Sequence, residues 1–261
     1  MRTTSLTRIK GTLLIAGTLL YVATLQADEI RVMTSGGFAA PHLELVSPFE
    51  RATKHKIVTD AISMGIGEDS IPSRLRRGES VDVVILADAA LGELIQEGRV
   101  VASSRVALAR SAIGMAVRAG APKPDISSVE ALKRVLLQAK SVAYSAQVSG
   151  VYLSTELFPR LGIADQMRAK SQRIERERVG AVVARGEAEI GFQQISELLP
   201  IAGIDYVGPL PAEVQRVTVF SAGVAVGAKS PEAARALIRF FMSPEGAHAM
   251  TKSGLEPMTP R

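Results

Sequence analysis

Val81-Asp82-Val83-Val84-Ile85-Leu86-Ala87-Asp88 is the stretch on which the fold turns. Residues 81–86 read as an almost unbroken apolar strand, and residues 89–96 follow as a helix that Gly98 stops. A strand with one wet face would alternate polar and apolar residues. A run like this one fits a parallel sheet covered on both faces by helices. The same strand-then-helix rhythm extends outward in both directions. Ahead of it lie a strand at 30–33 ending in Thr34-Ser35-Gly36-Gly37, a helix at 41–53, a strand at 56–62 and a short helix at 71–77. After it comes a long extended segment, 104–118, closed by Gly120-Ala121-Pro122-Lys123-Pro124. A second series then follows: helix 129–139, strand 141–144, helices 151–160 and 180–185, and strand 189–192. The charge-alternating run 173–178 reads as a solvated segment. A second long extended segment, 214–226, precedes a helix at 231–242 and a terminal helix after Ser243-Pro244.

Two long extended segments bracketing the middle third are what crossover strands between two lobes look like. The expected fold is therefore α/β, with two doubly wound lobes joined by crossover strands near 108–117 and 215–226. Lobe 1 takes residues 28–113 and 215–261, and lobe 2 takes residues 114–214. A single larger α/β domain is the plainer alternative.

The first 27 residues stand apart. Arg2, Arg8 and Lys10 open the chain without an acidic residue, an apolar run fills 13–25, and Gln26-Ala27 precede Asp28-Glu29. That order is a cleavable secretory signal, and the run is shorter than the roughly 20 apolar residues of a membrane-spanning helix. The whole chain carries +5, but three of its positive charges lie in the signal, so the exported part is near +2. The high pI is then no sign of nucleic-acid binding, which needs a clustered basic face. With no cysteine there is no disulfide, thiolate metal site or cysteine nucleophile. Aromatic residues are 4% of the chain, without tryptophan, which argues against a sugar- or base-stacking platform. No metal-ligand cluster and no cofactor motif is present in the sequence, and a monomer is expected.

In doubly wound lobes, ligands bind beyond the carboxyl ends of strands. The candidate ligand residues lie in loops of that kind. Thr34, Ser35, Gly36 and Gly37 offer hydroxyls and bare backbone N–H groups at a helix start, which suits an anion. Ser145, Ser149, Gly150, Val151 and Tyr152 form a second such turn, in which helix capping by Ser149 is the simpler role. Gln193 and Gln194 end a strand, and alternation sends only one of them toward a cleft. Ser63 sits in a further glycine-rich loop. Arg74, one turn beyond, is placed to clamp a carboxylate, although an arginine beside Arg76 and Arg77 also suits a solvated helix face. For a base, the candidates are Glu68, Asp69 and His42; no nucleophile elbow, zinc-protease motif or phosphate loop occurs.

Met33-Thr34-Ser35-Gly36-Gly37, the 82–88 strand, the 182–191 stretch and the closing Ser243-Pro244-Glu245-Gly246 resemble the periplasmic molybdate-binding proteins, in order along nearly the whole exported chain. The resemblance implies the type II periplasmic binding fold and a solute captured for an ABC permease of the inner membrane. It also implies an oxyanion held by serine hydroxyls, backbone N–H groups and a tyrosine. Here Gly37 stands where that family has a serine, Gln193-Gln194 where it has the tyrosine, and Ser145-Ala146-Gln147 where it has Asp-Pro. These departures favour a di- or tricarboxylate over molybdate. The segments 32–40 and 191–194 are similar to a branch of periplasmic aconitate isomerases. That implies an alternative: cis–trans interconversion of aconitate by an allylic proton shift, without a cofactor.

Overall fold

The computed structural model describes residues 27–63 and 67–259, with the backbone alone at 61–63. The export signal read over residues 1–27 lies outside the described residues but for Ala27. Two separate sheets divide the chain. In the first, β1 (Glu29–Ser35), β2 (Lys56–Ser63) and β3 (Val83–Ala87) run parallel and alternate with α1 (Gly36–Thr53), α2 (Ile71–Arg76) and α3 (Asp88–Gln96). β3 is the apolar run of the sequence, and its first four residues are fully buried. Asp82, at its threshold, is buried too because its carboxylate accepts the backbone N–H groups of Arg31 (2.8 Å), Lys229 (2.7 Å) and Ser230 (3.1 Å). A buried carboxylate is tolerated only with such partners, and here it staples β1 to the start of a distant helix.

β4 (Val106–Ser111) completes the outgoing path in the first sheet, and β5 (Ile113–Arg118) begins the second. The extended segment 104–118 is thus two strands that change sheets at Ala112. The second sheet has the order β7-β6-β8-β5-β9. Its members are β6 (Val142–Ser145), β7 (Ser171–Ile174), β8 (Ile190–Gln194) and β9 (Ile204–Pro209), joined by α4 (Val129–Gln138), α5 (Val148–Tyr152), α6 (Phe158–Arg160), α7 (Ala164–Arg168), α8 (Val179–Ala184) and α9 (Ile195–Leu198). A π-type turn over Leu153–Leu157 joins α5 to α6, so one helical rod runs from 148 to 160. The chain returns through 210–217 into β10 (Thr218–Val224), which inserts antiparallel between β3 and β4. α10 (Pro231–Phe241), α11 (Pro244–Lys252) and β11 (Glu256–Pro257) close the first lobe.

Each lobe has its own core. Phe38, Phe49, Leu237 and Phe241 fill the first, with Phe38 and Phe241 edge-to-face at 5.5 Å. Leu132, Leu136, Leu153, Phe158 and Phe192 fill the second. The run 173–178 read as solvated is exposed at Arg173 and over 175–177, but its first two residues, Arg173 and Ile174, end the edge strand β7, paired in parallel with β6. Its polar residues Gln172 and Arg173 are exposed, as an edge strand permits.

Candidate functional site

The C-terminal ends of β1 and β3 in one lobe and of β6 and β8 in the other face a single cavity of about 890 Å³. The N-termini of α1, α3 and α5 open onto it. Lobe 1 supplies Ser35, Gly37, the turn at 70–73, Arg76 and Asp88. Lobe 2 supplies Ala146 to Ser149, Val151, Tyr152, Glu156, Gln194 and Glu197. Residues 216–220, at the end of the return crossing, form the back.

Of the residues expected from the sequence, Ser35, Gly37, Ser149, Val151, Tyr152 and Gln194 meet in this cavity. Ser35 precedes α1, yet its hydroxyl makes no capping bond and is buried without a partner. Ser70, Ser128 and Ser243, by contrast, each accept a backbone N–H at their helix starts. Gly37 is bare for a packing reason: a Cβ there would lie 2.2 Å from the tip of the Phe220 ring. Gly150 is stricter still, since its Cβ would meet the Ser145 carbonyl oxygen at 1.6 Å. Tyr152 turns its hydroxyl away to the Val214 carbonyl (2.7 Å), while the Arg216 guanidinium lies 4.7 Å over its ring and pairs with Glu156. Gln194 donates from Nε2 to the Thr218 hydroxyl (2.9 Å), which leaves Oε1 buried and unpartnered. A hydroxyl both donates and accepts, so the amide can present either end to the cavity.

Other expected residues sit elsewhere. Arg74 does not reach the cleft: it is tied to Glu79 (2.7 Å) and Asp60 (3.1 Å), and the neighbouring Arg76 lines the cavity instead, paired with Glu97. Gln193 faces the opposite side of β8, where its Oε1 accepts the Val179 N–H (2.8 Å). The Ser145 hydroxyl is used locally, accepting from the Gln147 N–H (3.1 Å). Thr34 is fully buried and donates to the Ser35 carbonyl, while Gly36 and Gly150 are buried in the first turns of their helices. Ser63 ends β2 opposite Ser35 in β1. The three expected bases are also displaced. Glu68 and Asp69 are exposed in a short 3₁₀ turn. His42 is enclosed on α1 with Nε2 2.8 Å from the Thr59 hydroxyl, and burial pushes its pKa down to about 4, so it is neutral.

What sequence reading missed is Glu197, on the first turn of α9. It is 3% exposed, it lines the cavity, and its Oε1 has no partner. Burial pushes its pKa up to about 7 against the opposing pull of Arg178 and of a hydrogen bond from Gln193. A carboxylate three residues past a strand-end glutamine was the available signal, but α9 is a four-residue helix that periodicity does not reveal. Asp88 was likewise unassigned. Arg105 and the Ser221 hydroxyl (2.6 Å) hold its carboxyl below the usual range. Among the described residues, no group of three His, Cys, Asp or Glu side chains could hold a metal ion.

Residues 30–256 match the family of bacterial extracellular solute-binding proteins. The chain belongs to this family. Within it, the chain is 46% identical over 249 residues to an aconitate isomerase of a Pseudomonas species, a span of 95% of both chains. It is 25% identical over 246 residues to the molybdate-binding protein ModA of Azotobacter vinelandii, covering 90% and 92% of the two. The solved structure of the Azotobacter vinelandii periplasmic molybdate-binding protein superposes with a TM-score of 0.71 at 20% identity, over 89% of this chain and all of that one. PEB3 bound to L-phospholactate superposes at 0.66 with 13% identity, over 87% of this chain and 99% of that one. The fold is that of the two-lobed, molybdate-binding-like members of the solute-binding family, and the cleft between the lobes is where such folds take ligands.

Proposed function

We propose that this solute-binding-family protein holds aconitate in the interlobe cleft and interconverts its cis and trans forms, in the periplasm and as a monomer. The observation that carries the reading is the convergence of three buried, unpartnered polar atoms, Ser35 Oγ, Gln194 Oε1 and Glu197 Oε1, on one cavity. An unsatisfied buried polar atom costs about 1–3 kcal/mol. Three on one cavity wall make sense where a polar ligand satisfies them. The 46% identity to an aconitate isomerase, nearly end to end, supports aconitate as that ligand. The α1 N-terminus with the free Ser35 hydroxyl suits one carboxylate, and Arg216 suits another. An allylic proton shift asks little more of a protein than carboxylate clamps, a dry pocket and one placed base.

The second reading, capture of a di- or tricarboxylate for an ABC permease, is favoured by the family and by the shape of the cleft. Both readings share the ligand and differ in turnover. The purified mature protein, incubated with trans-aconitate and sampled by chromatography, is expected to form cis-aconitate far beyond one equivalent. Tight binding without turnover between about pH 5 and 9, where a carboxylate or histidine base operates, would reject catalysis and leave capture. A thermal-shift panel tests the ligand itself, because binding to the folded state alone raises Tm. The aconitates and tricarballylate should shift the transition. A shift by molybdate or tungstate only would overturn the carboxylate assignment.

A further inference from the structure

We infer that Glu197 is the base that carries the proton between the two carbons of aconitate, an assignment that rests on the isomerase reading above. Its place in the fold argues for it. α9 follows directly from β8, so its first turn stands at the carboxyl end of a central strand. Ser196 donates to the Gly37 carbonyl across the cleft (2.7 Å), which pins α9 to the start of α1 in the other lobe. Glu197 is therefore fixed where both lobes meet, with one oxygen free on the cavity wall.

The carboxyl is also oriented. Gln193, with its Oε1 occupied by the Val179 N–H, turns its amide N–H to the Glu197 carboxyl. The glutamine that faces away from the cleft is thus a positioning residue for the one that faces it. Arg178 at the start of α8 and the Gln193 amide of β8 act on the carboxyl, while its neighbours in α9 hold the backbone: Ser196 bonds to Gly37 of α1 and Ile195 lies against Gly114 of β5. Arg178 is the charged group that acts on it, too weakly to cancel the effect of burial. The group consequently titrates near neutrality, where a base is most effective.

In the step itself, the Glu197 carboxylate takes a proton from the methylene carbon of aconitate. The C–H electron pair becomes part of an allylic anion conjugated with the flanking carboxylates. The carboxylic acid so formed returns a proton to the former vinyl carbon, and the double bond shifts by one position with changed geometry. Nothing is oxidised, reduced or released, and one carboxyl serves both carbons from one face.

The test is E197Q, which keeps shape and polarity but cannot accept the proton, measured beside E197D and the parent protein. In the parent, kcat/KM is expected to rise with pH through about 7. With trans-aconitate deuterated at the methylene, part of the label should reappear on the new methylene of the product. E197Q should lose at least about a hundredfold in kcat and lose methylene exchange with solvent, while aconitate still raises its Tm. E197D should keep part of the activity and the rising pH limb. If the parent turns over and E197Q stays within tenfold of it, Glu197 is not the base although the isomerase reading stands. If E197Q does not fold, a parent kcat/KM that does not rise with pH between about 5 and 8 would overturn the assignment. A parent without turnover overturns the isomerase reading and, with it, the assignment of Glu197, and leaves capture.

Discussion

Gly37→Ala tests how the cleft wall is packed. Gly37 is the second residue of α1 and does not have a positive φ, so the backbone accepts alanine. In a helix that exchange alone would gain about 0.5–1 kcal/mol. The new Cβ, however, would sit 2.2, 2.8 and 3.1 Å from three atoms of the Phe220 ring, where carbon contacts need about 3.5 Å or more. The ring must withdraw by more than about 1 Å. Phe220 is 4% exposed and packed into the lobe 1 core, so withdrawal means a strained rotamer or intrusion into the cavity it lines. Overpacking of this kind costs about 1–3 kcal/mol, which leaves a net loss of up to about 2.5 kcal/mol after the helix gain. At about 2–4 °C per kcal/mol for a protein of this size, Tm should fall by up to about 10 °C. The additional rise in Tm on adding aconitate should shrink as well. Phe220→Leu removes the ring tip, and in that background the alanine should cost at least about 1 kcal/mol less, measured as a double-mutant cycle. A Tm that rises in G37A, or an equal cost in both backgrounds, would refute the packing argument.

Gly150→Ala should be far more damaging, because the obstacle at 1.6 Å is the Ser145 backbone carbonyl and cannot step aside; a loss above about 3 kcal/mol or failure to fold is expected by urea denaturation. Arg216→Ala should weaken aconitate binding tenfold or more by calorimetry, through the lost charge-assisted contact. Its exposed pair with Glu156 adds little to stability, so Tm without ligand should barely move. For pH, Glu197 has a folded pKa raised from the usual 4.5 to about 7. Its contribution to stability is full below about pH 4.5 and is lost as pH rises through about 7. His42, depressed from 6.5 to about 4, contributes above about pH 6.5 and loses that contribution as pH falls toward 4. The two offset each other between about pH 4.5 and 6.5. E197Q should therefore gain stability relative to the parent as pH rises across about 4.5–7, by up to about 1.4 kcal/mol per unit, and a difference independent of pH would contradict the burial of the carboxyl.

The apolar stretch 81–88 was enough to indicate parallel α/β architecture, because a strand buried on both faces has no room for alternation. The two extended segments were legible as breaks in the alternation, but only the sheets show that the first splits into two short strands at Ala112 and that the second, β10, lies wholly in the first sheet, with the return over 210–217 ahead of it. Sequence placed the glycines and serines at the ends of β1 and β6 in strand-to-helix turns, and the structure brings Ser35, Gly37 and Ser149 to the cavity wall. What sequence could not decide was direction and pairing. Gln193 and Gln194 are chemically identical neighbours, and only the register of β8 sends one to the cleft and the other to Val179 and Glu197. Arg74 and Arg76 likewise differ only in which face of α2 they occupy. Glu197 reads in sequence as one more surface glutamate. Its burial arises because α9 is pinned against α1 from the opposite lobe, a contact between residues about 160 apart in the chain, and a pKa is set by the dielectric and the partners that such contacts create.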